Sequence, residues 1–217
     1  MLRKKRLIVV GAGDFAPEVV WCISEVPPDR SDWQVAGFLD DKKDAAQRAL
    51  RERGVPLPVL GGIAEYQPGA DDRFICAIGD PKVKLALCER LRARGGVFVN
   101  IIHPTAGIGP GTSLGVGILV WRFVTISVNV RIGDFVTIGC HSSIGHDAVL
   151  QDGVTLSGHC DVTGHAHLER GVLLGTHAAI LPGVRVGALA TIGAGSVAFR
   201  NVAPEHTVVG VPAKVFI

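Results

Sequence analysis

The chain is short of aromatic residues, of net charge, of ordered cysteines and of long apolar runs, and each shortage removes a class of answer. Aromatic side chains make up 6% of its 217 residues while glycine appears 28 times, so its interior is one of small and aliphatic groups with many tight turns. The formal net charge is +2, which gives no basic stripe for nucleic acid or a membrane surface. No apolar run approaches the length of a bilayer span. The basic start, Met1 to Arg6, resembles the first part of a secretion signal. The apolar run behind it is only Leu7 to Val10 and enters a glycine turn, so a cytoplasmic protein is expected. Cys22, Cys76, Cys88, Cys140 and Cys160 have neither metal-ligand spacing nor an even framework, and read as reduced thiols. No Ser/His/Asp or Cys/His nucleophile order is present. At this length the chain can hold a small domain plus a second, elongated one.

What the chain does have is a period. From Ile108 to Ile192 an aliphatic residue returns at every sixth position, through Leu114, Val120, Ile126, Ile132, Ile138, Ile144, Leu150, Leu156, Val162, Leu168, Leu174, Ile180 and Val186. Helices repeat at 3.6 residues and strands at 2, so a sustained period of six marks a solenoid. Two residues before each member, from Ser142 to Ser196, sits a small or β-branched residue suited to a narrow prism. Glycine often follows the aliphatic (Gly109, Gly115, Gly133, Gly139, Gly145, Gly175, Gly187, Gly193), where a corner with positive φ is expected. Three hexads close one triangular coil of eighteen residues, and roughly five coils follow: a left-handed parallel β-helix over residues 105–217, with Gly210 to Lys214 a tail folded back along it.

Residues 1–104 read differently. Leu7–Val10, Gln34–Leu39, Phe74–Ile78 and Val97–Ile102 are expected strands, and Pro17–Glu25, Asp44–Gly54 and Lys82–Arg94 expected helices. Strand, glycine turn, helix, strand is the beginning of a Rossmann-like parallel sheet, so the fold class is α/β followed by all-β. The turn Gly11-Ala12-Gly13 can direct backbone amides at a phosphate, and Asp40-Asp41-Lys42 can meet a base, a ribose hydroxyl and a diphosphate. A nucleotide sugar, NAD and a purely structural turn remain open on these residues alone. So does a solvated turn at Asp40-Asp41-Lys42.

The candidate base is His146. It follows the Ile144-Gly145 corner, points outward, and has a side chain whose ordinary pKa suits proton transfer near neutrality. Asp147 supports it if its side chain folds back. One coil on, at 146 + 18, Gly164 leaves a slot for a pantetheine arm. His141, His159 and His177 are spaced by eighteen and should stack as a ladder about 5 Å from coil to coil, with no metal assigned to it. His165 and His167 alternate across a strand, His103 and His206 lie in loops, and Cys140 and Cys160 are fillers.

The stretches Val9–Gly13, Phe38–Lys42, Ala77–Asp80, Ile102–Pro104, Ile144–Asp147, Leu181–Val184 and Val209–Lys214 together resemble the sugar-acyltransferase family of bacterial glycan biosynthesis, over nearly the whole chain. The resemblance implies direct acetyl transfer from acetyl-CoA, with His146 as base and Asp147 as its acid. It implies a homotrimer with CoA in the groove between prisms, against Gly164, Gly175, Thr176, Gly193, Ala194 and Lys214. The nucleotide end of the sugar would lie on Gly11, Ala12, Gly13, Asp40, Asp41 and Lys42, with Asp80 nearby. Some relatives carry Asn where this chain has Gly139, and His where it has Thr155.

The expected activity is N-acetylation of a nucleotide-linked amino-deoxy sugar, without nucleic-acid or membrane partners. O-acetylation of a sugar hydroxyl is the alternative. A γ-class carbonic anhydrase is remote: His141 and His146 have the spacing of two of its zinc ligands, but Thr105 stands where a third would fall. A non-catalytic spacer is the other remote reading.

Overall fold

A computed structural model describes residues 4–216; residues 1–3 of the basic start, and Ile217, lie outside the described residues. The first domain is a four-stranded parallel sheet of β1 (Lys5–Val10), β2 (Trp33–Leu39), β3 (Val59–Gly61) and β4 (Asp72–Cys76), in the order β3-β2-β1-β4. Helices α1 (Ala16–Ser24), α2 (Lys43–Glu52) and α3 (Pro81–Ala93) connect and cover it. The unbroken aliphatic run Leu7–Val10 is fully buried, as the central strand of a covered parallel sheet must be. Strand β3 escapes the sequence reading because three residues carry no usable period. Helix α3 starts where its sequence says: Asp80 accepts a hydrogen bond from the Val83 amide at 2.8 Å, and Pro81 takes the first helical position.

The second domain is a left-handed parallel β-helix of two-residue strands stacked on three faces. Its first face runs through Leu119–Val120, Thr137–Ile138, Thr155–Leu156, Leu173–Leu174 and Thr191–Ile192. The second runs through Thr125–Ile126, Ser143–Ile144, Asp161–Val162 and Ala179–Ile180, and the third through Arg131–Ile132, Val149–Leu150, His167–Leu168 and Arg185–Val186. Partners are eighteen residues apart along these faces, as in Ile138 with Leu156, until the last coil, where Ile192 pairs with Val208. Both predicted inward sets are buried from the third coil onward, and Cys160 is part of that core.

The corners correct one expectation. Positive φ falls three residues after each aliphatic, at Gly111, Gly117, Phe123, Asn129, Phe135, His141, Asp147, Gly153, His159, His165, Gly171, His177, Gly183, Leu189 and Gly195. The glycines directly after the aliphatics have ordinary φ and are required for space instead. A Cβ on Gly145 would lie 2.5 Å from the Gly164 nitrogen, and one on Gly139 would lie 2.5 Å from the Ser157 carbonyl carbon. Adjacent coils touch backbone to backbone there.

The hand-over between domains also differs from expectation. Val97–Ile102 is not one strand of the first sheet: Phe98 bridges to Phe74, whereas Ile101–Ile102 pairs with Leu119–Val120 on the first face. Solenoid pairing therefore begins before His103-Pro104. Helix α3 then lies on the solenoid. Its Leu85 packs where Gly153 lacks a side chain, its Arg92 lies over the Phe135 ring, and its Glu89 pairs with Arg170 at 2.7 Å. His103, expected in a loop, is buried and acts as a clasp, with its ring nitrogens 2.8 Å from Thr105 Oγ1 and 2.7 Å from Glu25 Oε2. Glu25 also binds Arg122, whose guanidinium lies 3.5 Å from the centre of the Trp21 ring.

Candidate functional site

Side chains of successive residues normally diverge, yet His146 and Asp147 meet. The reason is the corner: Asp147 has φ 57°, and its carboxylate turns back to place Oδ2 2.8 Å from His146 Nδ1. Asn and Asp tolerate this left-handed conformation better than most residues. The hydrogen bond from His146 holds the Asp147 carboxyl below the usual carboxylate range, helped by a hydrogen bond from Asn129 and the nearby His165. A carboxylate at Nδ1 fixes the proton there and leaves the Nε2 lone pair free to accept a proton. Both side chains are open to solvent, at 56% and 40%.

Gly164, one coil further on, has a further role beside the one expected. A Cβ on it would lie 2.7 Å from His146 Nε2, so the missing side chain makes room for the imidazole. His165, which the sequence reading set aside, joins the group: its Nε2 is 3.9 Å from Asp147 Oδ2 and its ring stands perpendicular to that of His146, with centroids 5.0 Å apart. The signal was available, since 165 is 147 + 18. The three side chains place potential ligand atoms within 4.8 Å of one another, a spacing that small movements would adapt to a metal ion.

At the glycine turn, Gly11, Gly13, Asp40, Asp41 and Lys42 line a cavity of about 450 Å³ with Phe15, Ala77, Ile78 and Gly79. Gly11 has φ 93°, and a Cβ there would meet Ile78 at 2.8 Å. Ala12 is buried and lends only its backbone, its amide donating to Asp40 Oδ2 at 3.0 Å. The other Asp40 oxygen accepts from the Lys42 amide at 2.8 Å, so this acid stiffens the loop that it was expected to equip. Asp41 Oδ1 accepts from the Ala64 amide at 3.1 Å.

A larger cavity of about 650 Å³, mostly apolar, lies between α1 and the first face. Phe15, Trp21, Trp121, Leu156 and Leu173 form its walls, with Thr137 and Thr155 among its polar groups. Phe15 and Gly79 line both cavities, making one trough from the glycine turn to the prism. The N-termini of α1, at Phe15, and α3, at Asp80, both meet this junction, where their amides and dipoles favour an anion.

The residues expected to line CoA are not brought together in one chain. Gly164 lies at the corner between second and third faces, beside His146; Gly175, Thr176, Gly193 and Ala194 lie at the corner between first and second faces. Lys214 is exposed in a terminal strand, Lys214–Val215, that runs antiparallel to Thr207–Val209, so the tail folds back as expected. On the first–second corner the histidine ladder is present and longer than expected. Phe123, His141, His159 and His177 stack with centroids 4.9, 4.8 and 4.7 Å apart.

No helix among the described residues is long and apolar enough to cross a membrane. Residues 6–91 match the PglD N-terminal domain family. Over 193 residues the chain is 32% identical to a serine acetyltransferase of Buchnera aphidicola, covering 85% of this chain but 63% of that protein's length. It is also 32% identical, over 111 residues, to the GDP-perosamine N-acetyltransferase of Escherichia coli O157:H7, covering 51% of this chain and 50% of that one. The crystal structure of PerB from Caulobacter crescentus, in complex with CoA and GDP-perosamine, superposes with a TM-score of 0.84 at 28% identity, covering 96% of each chain. A PglD-type domain on a hexad-built prism, matched end to end by such a structure, fits a sugar acyltransferase of the hexapeptide-repeat superfamily.

Proposed function

We propose that the protein is a cytoplasmic, homotrimeric acetyl-CoA-dependent N-acetyltransferase acting on the amine of a nucleotide-linked amino-deoxy sugar. Residues 1–104 form the nucleotide-sugar domain and 105–217 the acyltransferase domain. The observation that carries this reading is the His146–Asp147 pair, held at 2.8 Å on an imidazole that is 56% exposed. His146 Nε2 takes the proton of the sugar amine as its nitrogen attacks the thioester carbonyl of acetyl-CoA. The C–N bond forms, the C–S bond breaks, and the departing CoA sulfur takes a proton back from the imidazolium. Asp147 stabilises that imidazolium. No acyl-enzyme is required.

In this reading the nucleoside lies over Gly11, Ala12, Gly13, Asp40, Asp41 and Lys42. The diphosphate lies at the junction by Phe15 and Asp80, and the sugar extends over the first face. CoA crosses between subunits, against Gly164 of one prism and Gly175, Thr176, Gly193 and Ala194 of the next, with Lys214 near its nucleotide end. The split of these residues between two corners supports a site completed by a second copy. The CoA and GDP-perosamine bound by PerB support the substrate classes.

The serine acetyltransferase relative favours a second reading, transfer to a hydroxyl. The PglD-type domain over residues 6–91 weighs against it. The test is thiol release from acetyl-CoA with a panel of UDP-, dTDP- and GDP-linked amino sugars, hydroxylated sugars and L-serine, wild type beside His146→Ala. Turnover with an amino sugar that collapses in the variant is expected. Turnover only with a hydroxyl acceptor, or turnover surviving the substitution, overturns the proposal.

A further inference from the structure

Lys84 is the most unusual charged residue of the molecule. It lies on the first turn of α3, is 1% exposed, and donates from Nζ to Thr155 Oγ1 at 2.7 Å and Thr137 Oγ1 at 3.1 Å, on adjacent coils of the first face. Lysines are almost never buried this far without an anionic partner, and among the described residues no carboxylate lies within ion-pair distance of this amine. Burial brings its pKa down to about 8, against the opposing pull of Cys76, Cys88 and Asp80, so it is still mostly cationic at neutral pH. Both threonines line the larger cavity.

The hydroxyls show which way the charge is directed. A threonine oxygen that accepts from an ammonium must point its own hydrogen elsewhere. Thr155 has Gly153 O at 3.3 Å, whereas Thr137 makes no other side-chain hydrogen bond among the described residues and faces the cavity. Polarised by the ammonium, the Thr137 hydroxyl is a strengthened donor. At the same end of α3, Gly79 and Asp80 border the junction of the two cavities; the Asp80 carboxylate caps the helix there, so the buried ammonium also offsets that carboxylate for an anion entering from the α1 side.

We propose that Lys84 is a positioning residue for an anionic ligand group, a diphosphate, acting through Thr137: the ammonium makes no direct ion pair in the empty protein, and the substrate supplies the charge it is held towards. The ligand class rests on the function proposed above. It adds that affinity for the anion depends on a lysine that does not line the cavity and costs the empty protein stability. Around the amine stand Asp80 and Cys88 of α3, Cys76 of β4, and the uncharged Thr137 and Thr155 of the solenoid; Glu18 and Arg122 line the cavity further out.

The experiment is calorimetric titration of UDP, GDP and dTDP into wild type, Lys84→Met, Thr137→Val and the double variant, with thermal unfolding of each protein alone. One diphosphate should bind wild type, and Lys84→Met should weaken it about tenfold or more while its unfolding midpoint stays level or rises. Thr137→Val should cost a similar factor, and the double variant little more than either single one. Wild-type affinity should also fall as pH rises through about 8, a readout that survives if Lys84→Met fails to fold. Failure of wild type to bind any diphosphate would sink the nucleotide-sugar reading and this proposal with it. Binding that Lys84→Met leaves unchanged, additive losses in the double variant, or an affinity flat between pH 7 and 9 would overturn the role of Lys84 alone.

Discussion

Two corners of the prism are built by the same period and have opposite characters. The first–second corner repeats Phe123, His141, His159 and His177, four flat rings in register, and the result is a stack. The second–third corner repeats Asn129, Asp147, His165 and Gly183, and the result is a carboxylate gripped by one imidazole and approached by another. A column of like residues gives only packing and mutual repulsion of its charged forms. A column that mixes acid, base and amide has partners that hold each other's protons in place. The period delivers residues to a place; the sequence of types along the column decides which contacts form there.

The contrast is broken most directly by substituting a histidine on each corner. His146→Ala should lower turnover by roughly 10²- to 10⁴-fold, the usual contribution of a positioned base, with no more than the small change in unfolding midpoint that loss of an exposed ion pair gives. His141→Ala should change turnover by no more than a few-fold in the same thiol-release assay. Equal losses at both corners would end the comparison.

Asp147→Asn comes next, with a loss of about 10- to 100-fold for an orienting partner. Its carboxyl is held below the ordinary range chiefly by His146. Its stabilising contact is therefore fully present above the ordinary carboxylate pKa, and is lost as pH falls through the lowered, folded value. Unfolding midpoints of wild type and variant, measured from pH 7 downward, should converge only at acidic pH.

Two glycines sharpen the contrast between space for chemistry and space for the fold. A Cβ on Gly164 meets the movable end of His146, whereas one on Gly145 meets backbone of the next coil. Gly164→Ala should lower turnover about tenfold or more by displacing the base, with little loss of stability. Gly145→Ala should destabilise by about 1–3 kcal/mol as an overpacked contact, read from denaturant unfolding. The smallest effect is expected at Lys84. Its folded pKa lies below its unfolded one, so the folded protein binds fewer protons and wild-type stability rises with pH between about 8 and 10.5. Any advantage of Lys84→Met in the unfolding midpoint should shrink over that interval.

Much of the solenoid, and the outward corner that carries His146, was legible in the chain. The hexads named the inward residues, the eighteen-residue count predicted the histidine ladder, and the same count could have found His165. The corner conformation was misassigned because glycine was read as a sign of positive φ. In this prism the glycines directly after the aliphatics mark backbone contact, and the left-handed positions three residues after those aliphatics are shared between glycine and His, Asn, Asp, Phe and Leu. In the first domain the strand–turn–helix order was legible, but not that Asp40 spends both oxygens on backbone amides, nor that Val97–Ile102 is shared between two sheets.

The sequence by itself determined the period, the triangular coil, the parallel sheet before it and the place of His146 on an outward corner, because each follows from spacings local to the chain. Only the tertiary structure decided the trough between the domains, the burial of His103 and the fate of Lys84. These depend on α1 and α3 lying against coils that are 53 and 71 residues away at Lys84 and 78 residues away at His103. No local pattern encodes a contact of that separation; it is set by which surfaces exclude water together when the two domains close.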